Sequence, residues 1–147
     1  MKRMIVLMLL VSSCGGDDKP GHLEATGVQD GTAFRYSSSC VLGAEGGQRF
    51  AEALDPGRYG FYVTWDPDQV NAPGSYPNGP AVRVGIRHLA DGQVWTRSTQ
   101  GGSVVFQTLT TDQVTGTFTD VVHDPGPSSD SSTAHITASG SFDCVRE

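Results

Sequence analysis

From Thr32 onward, apolar residues recur at every second position, the period of a β-strand with one buried face. Phe34, Tyr36, Cys40 and Leu42 alternate with Ala33, Arg35, Ser37, Ser39 and Val41. Tyr59, Phe61, Val63 and Trp65 share one face of a second run, and Val82, Val84, Ile86 and His88 mark a third. Further runs cover residues 94–98, 104–109 and 114–122. The cleanest alternation comes last, with Ala134, Ile136, Ala138, Gly140, Phe142 and Cys144 set against His135, Thr137, Ser139, Ser141 and Asp143. About seven short strands at this spacing predict an all-β fold, an antiparallel β-sandwich with a barrel as the alternative. The one helical candidate is short, Gln48–Leu54, stopped by Asp55-Pro56-Gly57.

Turn chemistry joins these runs. Asp91-Gly92 tolerates the positive φ of a type I′ turn and predicts a hairpin between the third and fourth strands. Thr111-Asp112 predicts a turn between the fifth and sixth. The last two strands share a Gly-(Ser/Thr)-Phe element, Gly116-Thr117-Phe118 and Gly140-Ser141-Phe142. In one antiparallel register Phe118 faces Gly140 and Gly116 faces Phe142, so that each ring covers a glycine across the pair. The Pro- and Ser-rich loop 123–132 connects them through solvent.

The first residues are a different kind of polymer. Lys2 and Arg3 precede an unbroken apolar run over residues 4–11, too short for the roughly 20 residues a spanning helix requires. It has the length of a signal-peptide core, and it ends at Val11-Ser12-Ser13-Cys14. This stretch resembles the bacterial lipoprotein signal sequence, in which an aliphatic residue and two small residues precede an invariant cysteine. Val11 stands where that family more often has Leu. The resemblance implies that residues 1–13 are a signal peptide and that cleavage leaves Cys14 carrying acyl chains, with the membrane as partner through this lipid anchor. Gly15, rather than Asp, after the cysteine implies a bacterial cell-envelope location at the outer membrane. The Gly-x-Phe near the C-terminus also resembles small β-rich lipoproteins of unknown function, which implies nothing about activity.

Composition sharpens this division. All three Met lie in the first eight residues, and removing residues 1–13 takes the formal charge from −6 to −8. So acidic a chain lacks the basic footprint of a nucleic-acid binder, and no nucleic-acid partner is expected. It also lacks electrostatic pull toward an anionic bilayer, which leaves the anchoring to the acyl chains. Residues 14–31 are rich in Gly and Asp and predict a flexible lipidated tether before a β-sandwich domain over residues 32–147. Once Cys14 is acylated, Cys40 and Cys144 remain as an even pair in an exported chain, where a disulfide is the default. No C-x-x-C motif suggests a reactive thiol or metal pair instead.

Catalytic signatures are missing from the sequence: it holds no G-x-S-x-G, H-E-x-x-H, P-loop or complete EF-hand loop. The hairpin register above also sets His123 opposite His135, with Asp120 and Asp124 nearby, a sparse donor set for zinc. Two unrelated exposed histidines account for it better, and no metal or other cofactor is expected. Residues 66–80 form an unusually long connection carrying four prolines. Its candidate binding residues are Trp65, Asp66, Asp68, Asn71 and Tyr76, the tyrosine offering a flat contact for a protein or glycan partner. Asp66, Asp68 and Asn71 lack the spacing and glycine of a calcium loop, so a turn accounts for them. The sequence therefore points to a lipid-anchored, non-enzymatic binding module. A structural surface lipoprotein without a ligand site is the first alternative, and a small hydrolase or enzyme inhibitor the second. Exposure of Tyr76 and Trp95 at one end would favour the module, and their burial the structural role.

Overall fold

In the computed structural model, which describes residues 21–54, 59–90, 93–124 and 135–147, every regular element is a β-strand. There are ten: β1 (His22–Gln29), β2 (Thr32–Glu45), β3 (Gln48–Leu54), β4 (Tyr59–Trp65), β5 (Gly74–Pro77), β6 (Val82–Ala90), β7 (Gln93–Ser98), β8 (Ser103–Leu109), β9 (Gln113–His123) and β10 (Ile136–Val145). They form one antiparallel sheet in the order β5-β8-β9-β10-β1-β2-β3-β4-β6-β7, with a single parallel contact, Val145 to Val41, between β10 and β2. The sheet curls nearly to closure around one core, so the barrel, and not the two-layered sandwich, describes it.

Three expectations are corrected here. The expected connection over residues 66–80 contains a strand, β5, paired with β8, which with β1 and β3 brings about seven strands to ten. The tether does not extend to residue 31, because His22–Gln29 is a central strand paired along its whole length with both β10 and β2. Its inward residues are Leu23 and Ala25, followed by Gly27, and with Ala and Gly at two of the three the period-two signal is faint. Gln48–Leu54 is a strand and not a helix. Ala51 and Ala53 are fully buried against β2 and β4, and hydrogen bonding on both sides overrides the helical preference of Ala, Glu and Leu. The preceding turn adds to this. Gly46 and Gly47 have φ of 60° and 81°, as a two-residue type I′ hairpin requires, and they pair Glu45 with Gln48. The predicted Asp91-Gly92 turn lies outside the described residues, although the strands beside it pair Ala90 with Gln93 as a hairpin does.

The Phe–Gly register is present: Phe118 faces Gly140 and Phe142 faces Gly116. Three more glycines carry an aromatic ring in the same way, Gly27 under Phe34, Gly43 under Phe50 and Gly85 under Tyr62. The register slips by one farther along β9. Thr119 and Asp120 together oppose Ser139, whose Oγ accepts a 2.9 Å hydrogen bond from the Asp120 amide, and Asp120 sits at φ 52°. Beyond this bulge His123 faces Ile136, not His135.

One side chain, Asn78, organises the seam, which the backbone of Gln100 helps to close. Asn78 Oδ1 accepts the Val84 amide at 3.0 Å, while its Nδ2 donates to Thr99 Oγ1 at 2.8 Å and to the Gly101 carbonyl at 2.9 Å. The Thr99 hydroxyl and amide in turn both donate to the Val84 carbonyl, and Gln100 bridges to Val122 of β9. The Asn78 amide thus stands in for a strand's peptide group where β6 has lost its neighbour. Asn78→Ala strips the Val84 amide of its acceptor. Stability should fall by about 1–3 kcal/mol, seen in urea titration as a lower midpoint.

Candidate functional site

The antiparallel order puts the starts of β1, β3, β6 and β9 at the same end of the barrel as the ends of β2, β4, β8 and β10. This end is the mouth. The connection after β4 lies there, and its geometry is that of a structural turn. Asp66 Oδ1 accepts the Asp68 amide at 3.0 Å, and Asp66 Oδ2 accepts Gln69 Nε2 at 2.6 Å. The Gln69 and Val70 amides both donate to the Asp66 carbonyl. The turn drives Val70 into the core and leaves Asp68 and Asn71 exposed. The Asp66 carboxylate is therefore spent on the turn, which leaves little for a cation.

The aromatic residues of the predicted binding loop pack inward. Trp65 is buried, its ring 5.4 Å from that of Phe106. Tyr76 is half-buried on the edge of Phe106 at 5.9 Å, and its hydroxyl donates to the Ala72 carbonyl at 2.8 Å. Neither ring is offered to solvent as a flat platform. The side chain of Trp95, on β7, lies outside the described residues.

A cleft opens in the mouth itself, with a volume of about 160 Å³. Leu42, Trp65 and Val114 give it apolar walls, Thr110 and Thr111 line one side, and Arg49 and Arg146 both project into its lining. A second hollow continues it past Arg49 and Trp65 toward Pro67 and Asn71. Arg49 is on the inward-facing row of β3, opposite Trp65, and is half-buried. No carboxylate lines the cleft, and neither guanidinium is in an ion pair among the described residues. Both arginines escaped sequence reasoning. Arg49 lay inside the supposed helix, and Arg146 follows the last alternating position.

Two other clusters bear on chemistry. Ser37 Oγ lies 2.9 Å from His22 Nε2, and Glu24 Oε1 lies 3.2 Å from the same nitrogen. The residue types are those of a hydrolytic triad, but the geometry is not. A general base must hold the nucleophile with one ring nitrogen and its orienting carboxylate with the other. All three residues are also exposed on the outer sheet face. The proposed histidine pair is separated as well. The bulge turns His123 into the interior, while His135 stays outside with its Nδ1 2.9 Å from Asp124 Oδ1. Among the described residues no three His, Cys, Asp or Glu side chains group to hold a metal ion.

Cys40 and Cys144 form a disulfide between β2 and β10, both sulfurs buried. It stands at the mouth, where the chain enters β1. Gly21 is wedged there between the two strands. Its carbonyl accepts the Cys40 amide at 2.7 Å, and a Cβ on it would sit 2.8 Å from the Val145 nitrogen. Cys14 itself lies outside the described residues. Compared with known proteins, the chain matches no family model, no curated protein and no solved structure.

Proposed function

We propose that this chain is a lipid-anchored protein of the bacterial cell envelope, held at the outer membrane through Cys14, whose barrel acts as a binding module and not as an enzyme. The observation that carries the binding half is the mouth cleft, where two arginines, unpaired among the described residues, stand over apolar walls in a chain of net charge −6. Acidic partners are abundant in such a chain, so an unpaired, half-buried guanidinium favours an anion supplied from outside. The ligand site thus moves from the aromatic loop at residues 66–80 to the cleft beside it. A protein or glycan partner bearing an acidic group suits it. The anchoring half rests on the signal-like residues 1–13 and on Ser12-Ser13-Cys14.

The burial of Trp65 and the inward packing of Tyr76 favour the second reading, a structural surface lipoprotein, as far as that loop is concerned. The cleft distinguishes the two. Labelling with radioactive palmitate tests the anchor: the wild-type chain should incorporate label, and Cys14→Ala should incorporate none and accumulate as unprocessed precursor. Normal processing of that variant would overturn the lipoprotein reading. Crosslinking in intact envelopes tests the module, with the adduct expected to disappear in Arg49→Ala.

A further inference from the structure

Topology puts the cleft and the start of the described chain at one end. Gly21, fixed between Cys40 and Val145, leads into β1 at the mouth, and Arg146 directly follows Val145. From Cys14 to Gly21 the chain advances seven residues, a reach of at most about 25 Å. A domain of this size has a radius of gyration of about 13 Å, so its diameter exceeds that reach. Acylation at Cys14 would tether the barrel closely by its mouth and turn that mouth toward the bilayer, so that whatever fills the cleft would come from the membrane side.

We propose that the cleft binds the acidic headgroup of an amphiphile in the anchoring membrane, a phosphate or carboxylate oxyanion on an apolar stem. The proposal rests on the acylated reading of Cys14 for its orientation, and on the cleft alone for its chemistry. Arg49 and Arg146 supply the fork-shaped donors that oxyanions recognise. Thr111 adds a hydroxyl donor, while the Thr110 hydroxyl is already given to the Gln113 carbonyl at 2.9 Å, and Leu42 and Val114 line the path of the stem. The rim of the mouth opposes general adhesion to an anionic surface, since Glu45, Asp66, Asp68, Asp112 and Glu147 there outnumber Arg83, the exposed cation at the start of β6. Attraction is therefore assigned to the two arginines of the cleft.

The test uses the mature chain, residues 14–147, oxidised and carrying Cys14→Ser so that no acyl chain contributes. It is sedimented with phosphatidylcholine vesicles with and without phosphatidylglycerol. Binding is expected only where phosphatidylglycerol is present. Arg146→Ala should weaken it about fivefold and the double variant with Arg49→Ala about thirtyfold, at roughly 1 kcal/mol per cation near an anionic surface. Arg35→Ala, on the exposed face of β2, should leave it unchanged. Arg146 is exposed, so its replacement keeps the test valid even if Arg49→Ala weakens the fold. Equal sedimentation on both vesicles, or binding indifferent to the double variant, would overturn the proposal. So would arginine-dependent binding of soluble glycerol phosphate without vesicle binding, which makes the cleft a site for free anions. A chain that takes no palmitate yet passes the vesicle test fails the anchor and keeps the cleft.

Discussion

Replacing Cys40 and Cys144 together by alanine is expected to lower the stability of the domain by about 4–5 kcal/mol. The bridge closes a loop with a sequence separation of 104 residues, and for that length the chain-entropy argument gives a value near the top of the usual range. Marginal domains have only about 5–15 kcal/mol in total, so the variant should lie close to unfolding at growth temperature. The structural position adds to the loop argument. β1 lies between the two bridged strands and pairs with both, and the disulfide spans the point where it enters. Without the staple, β2 and β10 would still meet there through the Val145–Val41 contact and through Gly21 and the start of β1 between them. Alanine is the right replacement because both sites are dry, and serine would bury a hydroxyl that needs a partner. Urea titration of the oxidised and double-alanine chains should show the midpoint falling and the slope rising, since the uncrosslinked unfolded chain exposes more surface. The melting temperature should drop by roughly 15–25 °C. A loss below about 1 kcal/mol would mean that the barrel closes on its packing alone, and that the bridge is incidental.

The sequence carried much of this fold, and the places where it failed have physical causes. Alternation of large residues located β2, β4, β6, β7, β8, β9 and β10, because Phe, Val and Trp on one face leave a strong period-two signal. β1 and β3 were missed because their inward rows hold Ala25 and Gly27, and Ala51 and Ala53, which are too small to declare a face, and β5 because its four residues, Gly74–Pro77, are too few to show a period. Small residues there are a consequence of the packing: Phe34 lies over Gly27, and Phe61 comes within 5.0 Å of Tyr36. The Asp30-Gly31 turn between β1 and β2, with φ of 47° and 80°, was a signal available in the sequence. The hairpin register was legible up to Thr119 and wrong beyond it. A bulge changes which face every later residue takes, and nothing in Phe118-Thr119-Asp120-Val121 marks Asp120 for a left-handed backbone. That one residue separates His123 from His135. The candidate site was less legible still. Aromatic residues in a long loop suggested a platform, whereas the loop spends them on the core, and the exposed chemistry is carried by two arginines on different strand ends.

Phe118→Ala is expected to cost about 3–5 kcal/mol, at the upper end for a buried ring. Phe118 is 1% exposed, stacks on Phe61 with centroids 5.9 Å apart, and covers Gly140 across the β9–β10 pair. Its removal leaves a cavity against a glycine that has no side chain to collapse into it, so relaxation is poor. The converse change tests the same contact from the other strand. A Cβ on Gly140 would stand 2.5 Å from Phe118 Cζ and would also meet the Glu24 carbonyl oxygen. The ring is locked among core aromatics and cannot swing away, so Gly140→Ala should destabilise by about 1–3 kcal/mol through overpacking. Gly85→Ala is the comparison on the outer sheet face. There the three nearest atoms all belong to the ring of Tyr62, a half-exposed side chain, and none to the backbone, so the change should cost less than Gly140→Ala. Combining Phe118→Ala with Gly140→Ala should cost less than the two changes separately, because the ring that clashes with the new methyl group is gone. The relief is partial, since the Glu24 carbonyl remains. Strict additivity in urea titration would show that ring and glycine are not coupled, and that the five aromatic–glycine pairs are an accident of spacing and not a device that shapes this barrel.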